Sequence, residues 1–153
     1  MRPVRNSAKA IIVKDSRLLA IKNRDADGDW YCLPGGGQEP GETLTEALRR
    51  ECLEEVGVEV TVGPLRFVRE YIGKNHEFHA HDSDVHQVDF MFECELAQDS
   101  WYSTGSAPDA LQVGTAWLRL GELHEHRIYP SVLRTVLLCD TEATESVYLG
   151  DIN

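Results

Sequence analysis

The sequence predicts an α/β protein, a mixed β-sheet around one strongly punctuated helix, and three observations carry that expectation. Runs rich in β-branched and aromatic residues recur between Ala8 and Leu118. One segment, from Thr43 to Gly57, has helical periodicity with its own start and stop signals. Between the first strands and that helix lies a proline followed by three glycines, Pro34 to Gly37. At 153 residues the chain can bury a core without disulfides, so one domain over 1–153 is expected.

In chain order, residues 8–13 and 18–22 are apolar runs split by the polar cluster Lys14-Asp15-Ser16-Arg17, which reads as a β-hairpin. Residues 23–29 form a polar loop and 30–33 a short strand. The glycine segment 34–37 is expected to lack regular structure and to let backbone approach a ligand. In the helix, Thr43-Leu44-Thr45-Glu46 matches a capping box, Leu44, Ala47, Leu48, Cys52 and Val56 form an apolar stripe, and Gly57 is the C-terminal cap. Strands follow at 58–62, 65–72, 85–96 and 115–118. Segments 73–84 and 97–112 read as surface loops near a site. Residues 128–138 read as a final helix and 141–153 as a weakly patterned tail.

Composition narrows the function. A hydrophobic content of 42% and the lack of any long apolar run exclude a bilayer-spanning helix, and the N-terminal residues lack signal-peptide character, so a cytoplasmic location is expected. Cys32, Cys52, Cys94 and Cys139 form no C-x-x-C pair and read as reduced thiols, mostly buried. A net charge of −11 opposes binding of a nucleic-acid polymer or an anionic membrane. Small phosphorylated substrates remain compatible if a cation neutralises the local repulsion.

The chemistry concentrates on the helix. Glu51 and Glu55 are four residues apart and Glu54 lies between them on the same face, within an arc of roughly 100°. Such like charges repel, and a cation or a buried arginine, with Arg49 and Arg50 as local candidates, would offset the cost. Hard carboxylate oxygens suit Mg²⁺ or Mn²⁺, which would bridge to phosphate oxygens and acidify a water, and attack of water on phosphorus is the implied reaction. Backbone groups of Gly35, Gly36 and Gly37 stand close enough in sequence to contribute to phosphate binding.

Gly36, five residues, Glu42, seven residues, then Arg50-Glu51-Cys52-Leu53-Glu54-Glu55-Val56-Gly57-Val58 reproduces a complete 23-residue Nudix box, and the sequence resembles that superfamily. Cys52 stands where the family usually has a bulky aliphatic residue. The stretches Trp30 to Gly36 and Trp117 to Leu123 look like the family's approach to the box and its later strand and turn. The resemblance implies an α/β/α sandwich on a mixed sheet, with Glu51 and Glu55 binding metal and Glu54 assisting. Catalytic roles then fall to Glu51, Glu54, Arg50 and Glu42, the last two orienting helix and loop, while Glu51 alternatively handles the attacking water. In many relatives a further acid outside the box completes the metal shell or acts as base; Asp109 and Glu77 are candidates here, and Gln112 could take that place without acting as base.

Outside the box, His76, His79, His81 and His86 with Glu77, Asp82 and Asp84 admit a transition-metal reading, but no spacing matches a ligand motif. Contact of this loop with substrate phosphate or ribose is the preferred reading, with His86 or Gln87 the first residue to test. Among Tyr71, Phe78, Phe90, Phe92, Trp101 and Tyr102, most are expected in the core, Phe90 and Phe92 by their period of two, and Trp101-Tyr102 is the expected ligand contact. The function expected is cleavage of the diphosphate linkage of a nucleoside diphosphate joined to another group. Nucleoside triphosphates, dinucleoside polyphosphates and ADP-ribose-like compounds all qualify, and a homodimer is compatible with the resemblance. The alternatives are a catalytically silent Nudix-fold nucleotide-binding or regulatory domain, which the intact set of glutamates disfavours, and a plain interaction domain.

Overall fold

The computed structural model describes residues 2–97, 112–138 and 146–153. Its first two strands, β1 (Arg5–Lys14) and β2 (Arg17–Asp25), make the expected hairpin. Asp15 and Ser16 turn the chain with φ of 51° and 58°, the double left-handed turn whose twist matches that of paired strands. There follow β3 (Gly28–Cys32), β4 (Gly35–Gly37), helix α1 (Leu44–Val56) and β5 (Val60–Ile72). A 3₁₀ turn (Gly73–Asn75) and the one-turn helix α2 (His79–Asp82) lead to β6 (His86–Leu96). Then come β7 (Gln112–Arg119), a 3₁₀ segment (Leu120–Glu125), β8 (Ile128–Tyr129), the one-turn helix α3 (Leu133–Val136) and β9 (Tyr148–Asp151).

The described strands form one mixed sheet in the order β8-β3-β2-β1-β6-β5-β9, with β4 also on β1 and β7 also on β2. Strand β1 is its pivot. From Arg5 to Ile12 it runs parallel to β6, while its last residues, Val13 and Lys14, pair with β2, so the sheet curls about β1 into two halves. Alternation on β1 and β2 feeds two cores. Ala8, Ala10, Ile12, Leu19 and Ile21 face α1 through Leu48, Cys52 and Val56, whereas Ile11, Leu18 and Ala20 face Phe67, Met91, Leu123, Leu133 and Leu137. This is the α/β/α sandwich, with its second helical layer reduced to short turns.

Helix α1 follows local rules. Thr43 accepts from the Glu46 amide, the Glu46 carboxylate returns a bond to the Thr43 amide, and Gly57 closes the helix with φ 68°. Elsewhere the structure corrects the sequence reading. The glycine segment is strand β4, paired with β1 from Ser7↔Gly37 to Lys9↔Gly35. The strands expected at 58–62 and 65–72 are one bulged strand, β5. The expected helix over 128–138 is instead β8 and the single turn α3, because backbone at Ile128 and Tyr129 pairs with β3. The tail contributes β9, parallel to β5. On β6 it is Asp89 and Met91 that are fully buried, while Phe90 and Phe92 on the opposite face are half-buried. Cys52 and Cys94 are buried thiols, Cys32 is half-buried and accepts from Asn23 Nδ2, and Cys139 lies outside the described residues.

If the segment after Pro130 is a core layer, Leu133→Ala, at a fully buried position, costs about 2–5 kcal/mol of unfolding free energy in a urea titration. Leu138→Ala, at a site 58% exposed, changes it by less than about 0.5 kcal/mol. Equal effects would show that α3 is no part of the core.

Candidate active site

Strand β4 presses the glycines against the carboxylate face of α1. Gly35 has φ 137°, and a Cβ there would sit 2.0 Å from the Ala8 carbonyl oxygen, so only glycine lets β4 lie this close to β1. A Cβ on Gly36 would meet the Glu51 carboxyl carbon at 2.4 Å: that carboxylate occupies the space the missing side chain leaves. The Gly35 amide donates to Glu55 Oε2 at 3.0 Å. Glu55 is 4% exposed although it shares the buried stripe of α1 with Leu48 and Cys52, a position the helical period reserves for an apolar residue.

Arg50 ties the loop before α1 to the helix. Its Nε donates to Glu42 Oε1 at 2.6 Å and its Nη2 to Glu42 Oε2 at 3.0 Å, a two-pronged pair. Its Nη1 reaches Glu51 at 3.1 Å and Glu54 at 3.3 Å, and Nη2 also donates to the Gly37 carbonyl at 3.0 Å. The guanidinium beside Glu42, helped by the Glu39 amide, holds the Glu42 carboxyl down to about 2, and the same pairing raises Arg50 above its ordinary value. Of Glu51, Glu54 and Glu55, the first and last face a common cavity, whereas Glu54 does not line it and is met by Arg50 Nη1. Among the described residues no three His, Cys, Asp or Glu side chains converge as a metal cage.

That cavity, about 550 Å³, extends from Gly35, Gly36, Glu51 and Glu55 across the sheet. Strand register lines its floor in rows. Ser7 of β1 stands opposite Asp89 of β6, and Asp89 opposite Arg69 of β5. Arg69 Nε donates to Asp89 Oδ2 at 2.8 Å and Gln87 Nε2 to Asp89 Oδ1 at 2.7 Å, so this nearly inaccessible carboxylate is compensated. One wall is aromatic: Trp30 and Phe78 each meet Tyr129 edge to face, with centroids 5.8 and 5.4 Å apart. The Ser7 hydroxyl and the Trp30 indole N–H are buried with no hydrogen-bond partner among the described residues.

Sequence reasoning places some groups here and misses others. Gly35, Gly36, Glu51 and Glu55 come together, with Glu42, Arg50, Glu54 and Gly37 supporting them. Gln87 lines the cavity, while His86 points to an adjoining depression and bonds Glu70 at 3.1 Å. Glu77 is exposed and accepts from Asn153 rather than lining the cavity, and Gln112 Nε2 bonds the Glu55 carbonyl at 2.9 Å, bracing the end of α1. Asp109, Trp101 and Tyr102 lie outside the described residues. Phe78, His81 and Asp82 of the histidine-rich segment also line the cavity, whereas Asp25, Asp89, Arg69, Trp30 and Tyr129 were missed as site residues. Asp89 and Arg69 carried a signal, opposite charges at the buried parity of two apolar strands.

A curled mixed sheet, a glycine strand laid against an acidic helix and a cavity between aromatics and carboxylates together define an α/β/α sandwich with a carboxylate-lined site. The NUDIX domain family matches residues 3–137, and the chain belongs to it. It is 32% identical over 130 residues to human 8-oxo-dGDP phosphatase NUDT18, covering 80% of this chain and 40% of that protein. With nucleoside triphosphatase NudI of Enterobacter sp. it shares 41% over 70 residues, 44% of this chain and 48% of the relative. The chain thus spans less than half the length of either relative. A crystal structure of a NUDIX hydrolase from Nitrosomonas europaea shares the fold with a TM-score of 0.72 at 20% identity, over 100% of this chain and 81% of that one.

The Glu42–Arg50 pair makes a pH prediction. Because the folded Glu42 carboxyl lies near 2, below its ordinary 4.5, the pair stabilises the fold above about pH 4.5 and ceases to as pH falls toward 2. The difference in Tm between the parent and Glu42→Gln is therefore constant from pH 5 to 8 and shrinks steadily below 4.5. A difference that stays flat down to pH 2.5 rules the coupling out.

Proposed function

We propose that this chain is a metal-dependent pyrophosphohydrolase that cleaves the diphosphate linkage of a small nucleotide. The observation that carries the reading is Glu55, an acid in the apolar stripe of α1 held by the Gly35 amide and facing a cavity it shares with Glu51. A folded protein keeps such a costly group where a cation or a reaction uses it.

The donor set fits a hard divalent cation: Glu51 and Glu55 offer carboxylate oxygens toward one space, and the absent Cβ of Gly36 keeps that space open to Glu51. Mg²⁺, or Mn²⁺, held by Glu51 and Glu55 with Glu54 assisting would draw charge from phosphate oxygens and acidify a water. Arg50 and Glu42 set the helix against the loop. We assign Glu51 the attacking water: both oxygens of Asp25 are taken by Arg127, those of Asp89 by Arg69 and Gln87, and Asp82 accepts from the Tyr71 hydroxyl, whereas Arg50 meets Glu51 at Oε1 and the carboxylate still faces the space it shares with Glu55. Water oxygen bonds to one phosphorus and the bridging oxygen leaves with the other phosphate. The aromatic wall suits a nucleobase, and the unpartnered Ser7 hydroxyl and Trp30 N–H suit a polar ligand beside it. The activities in the names of the human and Enterobacter relatives lead us to place nucleoside di- and triphosphates, oxidised guanine forms included, first among substrates. A cytoplasmic setting fits the buried thiols of Cys52 and Cys94, which form no disulfide among the described residues.

The test is a phosphate- and pyrophosphate-release assay over dGDP, dGTP, their 8-oxo forms and ADP-ribose with Mg²⁺ or Mn²⁺. Glu55→Gln should lower kcat/KM about 100-fold, and Gly36→Ala, which pushes the Glu51 carboxylate aside, about 10-fold or more. Removing divalent metal with EDTA should abolish turnover. Turnover that survives both EDTA and Glu55→Gln would sink the proposal.

A further inference from the structure

Among the described residues, the arginines around the cavity are paired with carboxylates except Arg5. Arg50 is taken by Glu42, Arg69 by Asp89 and Arg127 by Asp25. The Lys9 ammonium donates to the Gly35 carbonyl at 3.3 Å. Arg5 is exposed, and among the described residues no carboxylate pairs with it. In a chain of net charge −11 with acids on every side, a guanidinium left without a carboxylate beside a phosphate-type site calls for an anion.

Its position is set by the sheet. Arg5, Ser7 and Lys9 alternate onto the cavity face of β1, and Lys9 and Ser7 stand opposite Gly35 and Gly37 of β4. The Arg5 head lies over Gly37: a Cβ on that glycine would fall 2.5 Å from both Nε and Nη2. From the other side Arg50 bonds the Gly37 carbonyl, so the end of the glycine strand lies between two guanidiniums, one committed and one not. Arg5 also lines the adjoining depression, about 770 Å³, which shares Val85 and Gln87 with the cavity. A phosphate chain that left the carboxylate end over Gly37 would therefore meet Arg5 at the entrance to that depression.

We propose that Arg5 is a specificity-determining residue: it grips, through its forked N–H donors, a phosphate group beyond the diphosphate held at Glu51 and Glu55, and so favours nucleoside triphosphates over diphosphates. The inference rests on the nucleotide reading of the cavity. A guanidinium matches phosphate oxygens two at a time, which an ammonium cannot, so lysine should replace it only in part.

Binding of dGTP and dGDP is measured by calorimetry with Ca²⁺ in place of Mg²⁺, alongside kcat/KM with Mg²⁺, for the parent, Arg5→Gln and Arg5→Lys. Arg5→Gln should weaken dGTP about 10-fold and dGDP less than about 3-fold, with Arg5→Lys between, and the exposed site should leave Tm unchanged. Equal weakening of the two nucleotides, or no weakening of dGTP, overturns the inference even where turnover is normal. A selective loss of dGTP binding in Arg5→Gln, where the parent turns over neither nucleotide, would uphold Arg5 and sink the hydrolase reading. Failure of the parent to bind either nucleotide below about 1 mM ends both.

Discussion

One guanidinium holds the site together. Arg50 spends its donors on Glu42, Glu51, Glu54 and the Gly37 carbonyl, and so joins the loop that precedes α1 to the face of α1 itself. Without it, Glu51, Glu54 and Glu55 are neighbours of one sign on one helix, each adjacent pair costing some tenths of a kcal/mol on an exposed helix and more where water is scarce. The planar fork matters as much as the charge, because the two oxygens of Glu42 are met by two nitrogens in one plane. Glycine completes the junction. Only residues without Cβ let β4 slide between β1 and the Glu51 carboxylate, so the strand and the arginine depend on each other.

The far wall of the cavity is held by a different acid. Asp151 of β9 accepts from the Ile72 amide at 2.8 Å and from Asn75 Nδ2 at 2.7 Å, and lies 2.6 Å from His76 Nε2. Burial pushes its carboxyl upward, but the bonds from Asn75, His76 and Ile72 outweigh that and hold it near 2. These bonds fix the turn after β5, and with it the segment that carries Phe78 and Asp82 to the cavity. Arg69 connects the two ends, bonding Asp89 on the floor and the Ile152 carbonyl beyond β9. The floor and the histidine-rich segment are thus set by residues near 150, far from them in sequence.

That distance explains what was legible in the sequence. Helix α1 was, because its cap, stripe and terminating glycine are all fixed within 15 residues by local hydrogen bonding and periodicity. The box glutamates and Arg50 came with it. Strand β4 was not, since three glycines carry no alternation and their pairing with β1 is a backbone event across some 30 positions. For the same reason the tail hid β9: its partners on β5 lie about 80 residues earlier. Leu133 and Leu137 have the spacing of a helix, but β3 captures Ile128 and Tyr129 and leaves room for a single turn. His86 and Gln87 show the limit of parity: alternation says they face opposite ways, and only the register with β5 and β1 tells which one looks into the cavity.

Stability and chemistry meet at Glu55. Its neighbours in the stripe, Leu48, Cys52 and Val56, are fully buried, and a leucine at 55 would extend that surface at no electrostatic cost. The carboxylate is tolerated because the Gly35 amide reaches it, and that amide is within reach because Gly35 takes a φ of 137° against Ala8. Burial of the acid, the positive φ of Gly35 and tight packing on β1 are therefore one arrangement, in which the cost of the buried acid is offset by its neighbours. Cys52, small where a bulkier aliphatic side chain is usual, fits beside it without crowding the turn that carries Glu51 and Glu55. The groups that shape the carboxylate end of the cavity are those the fold would do without if packing alone decided.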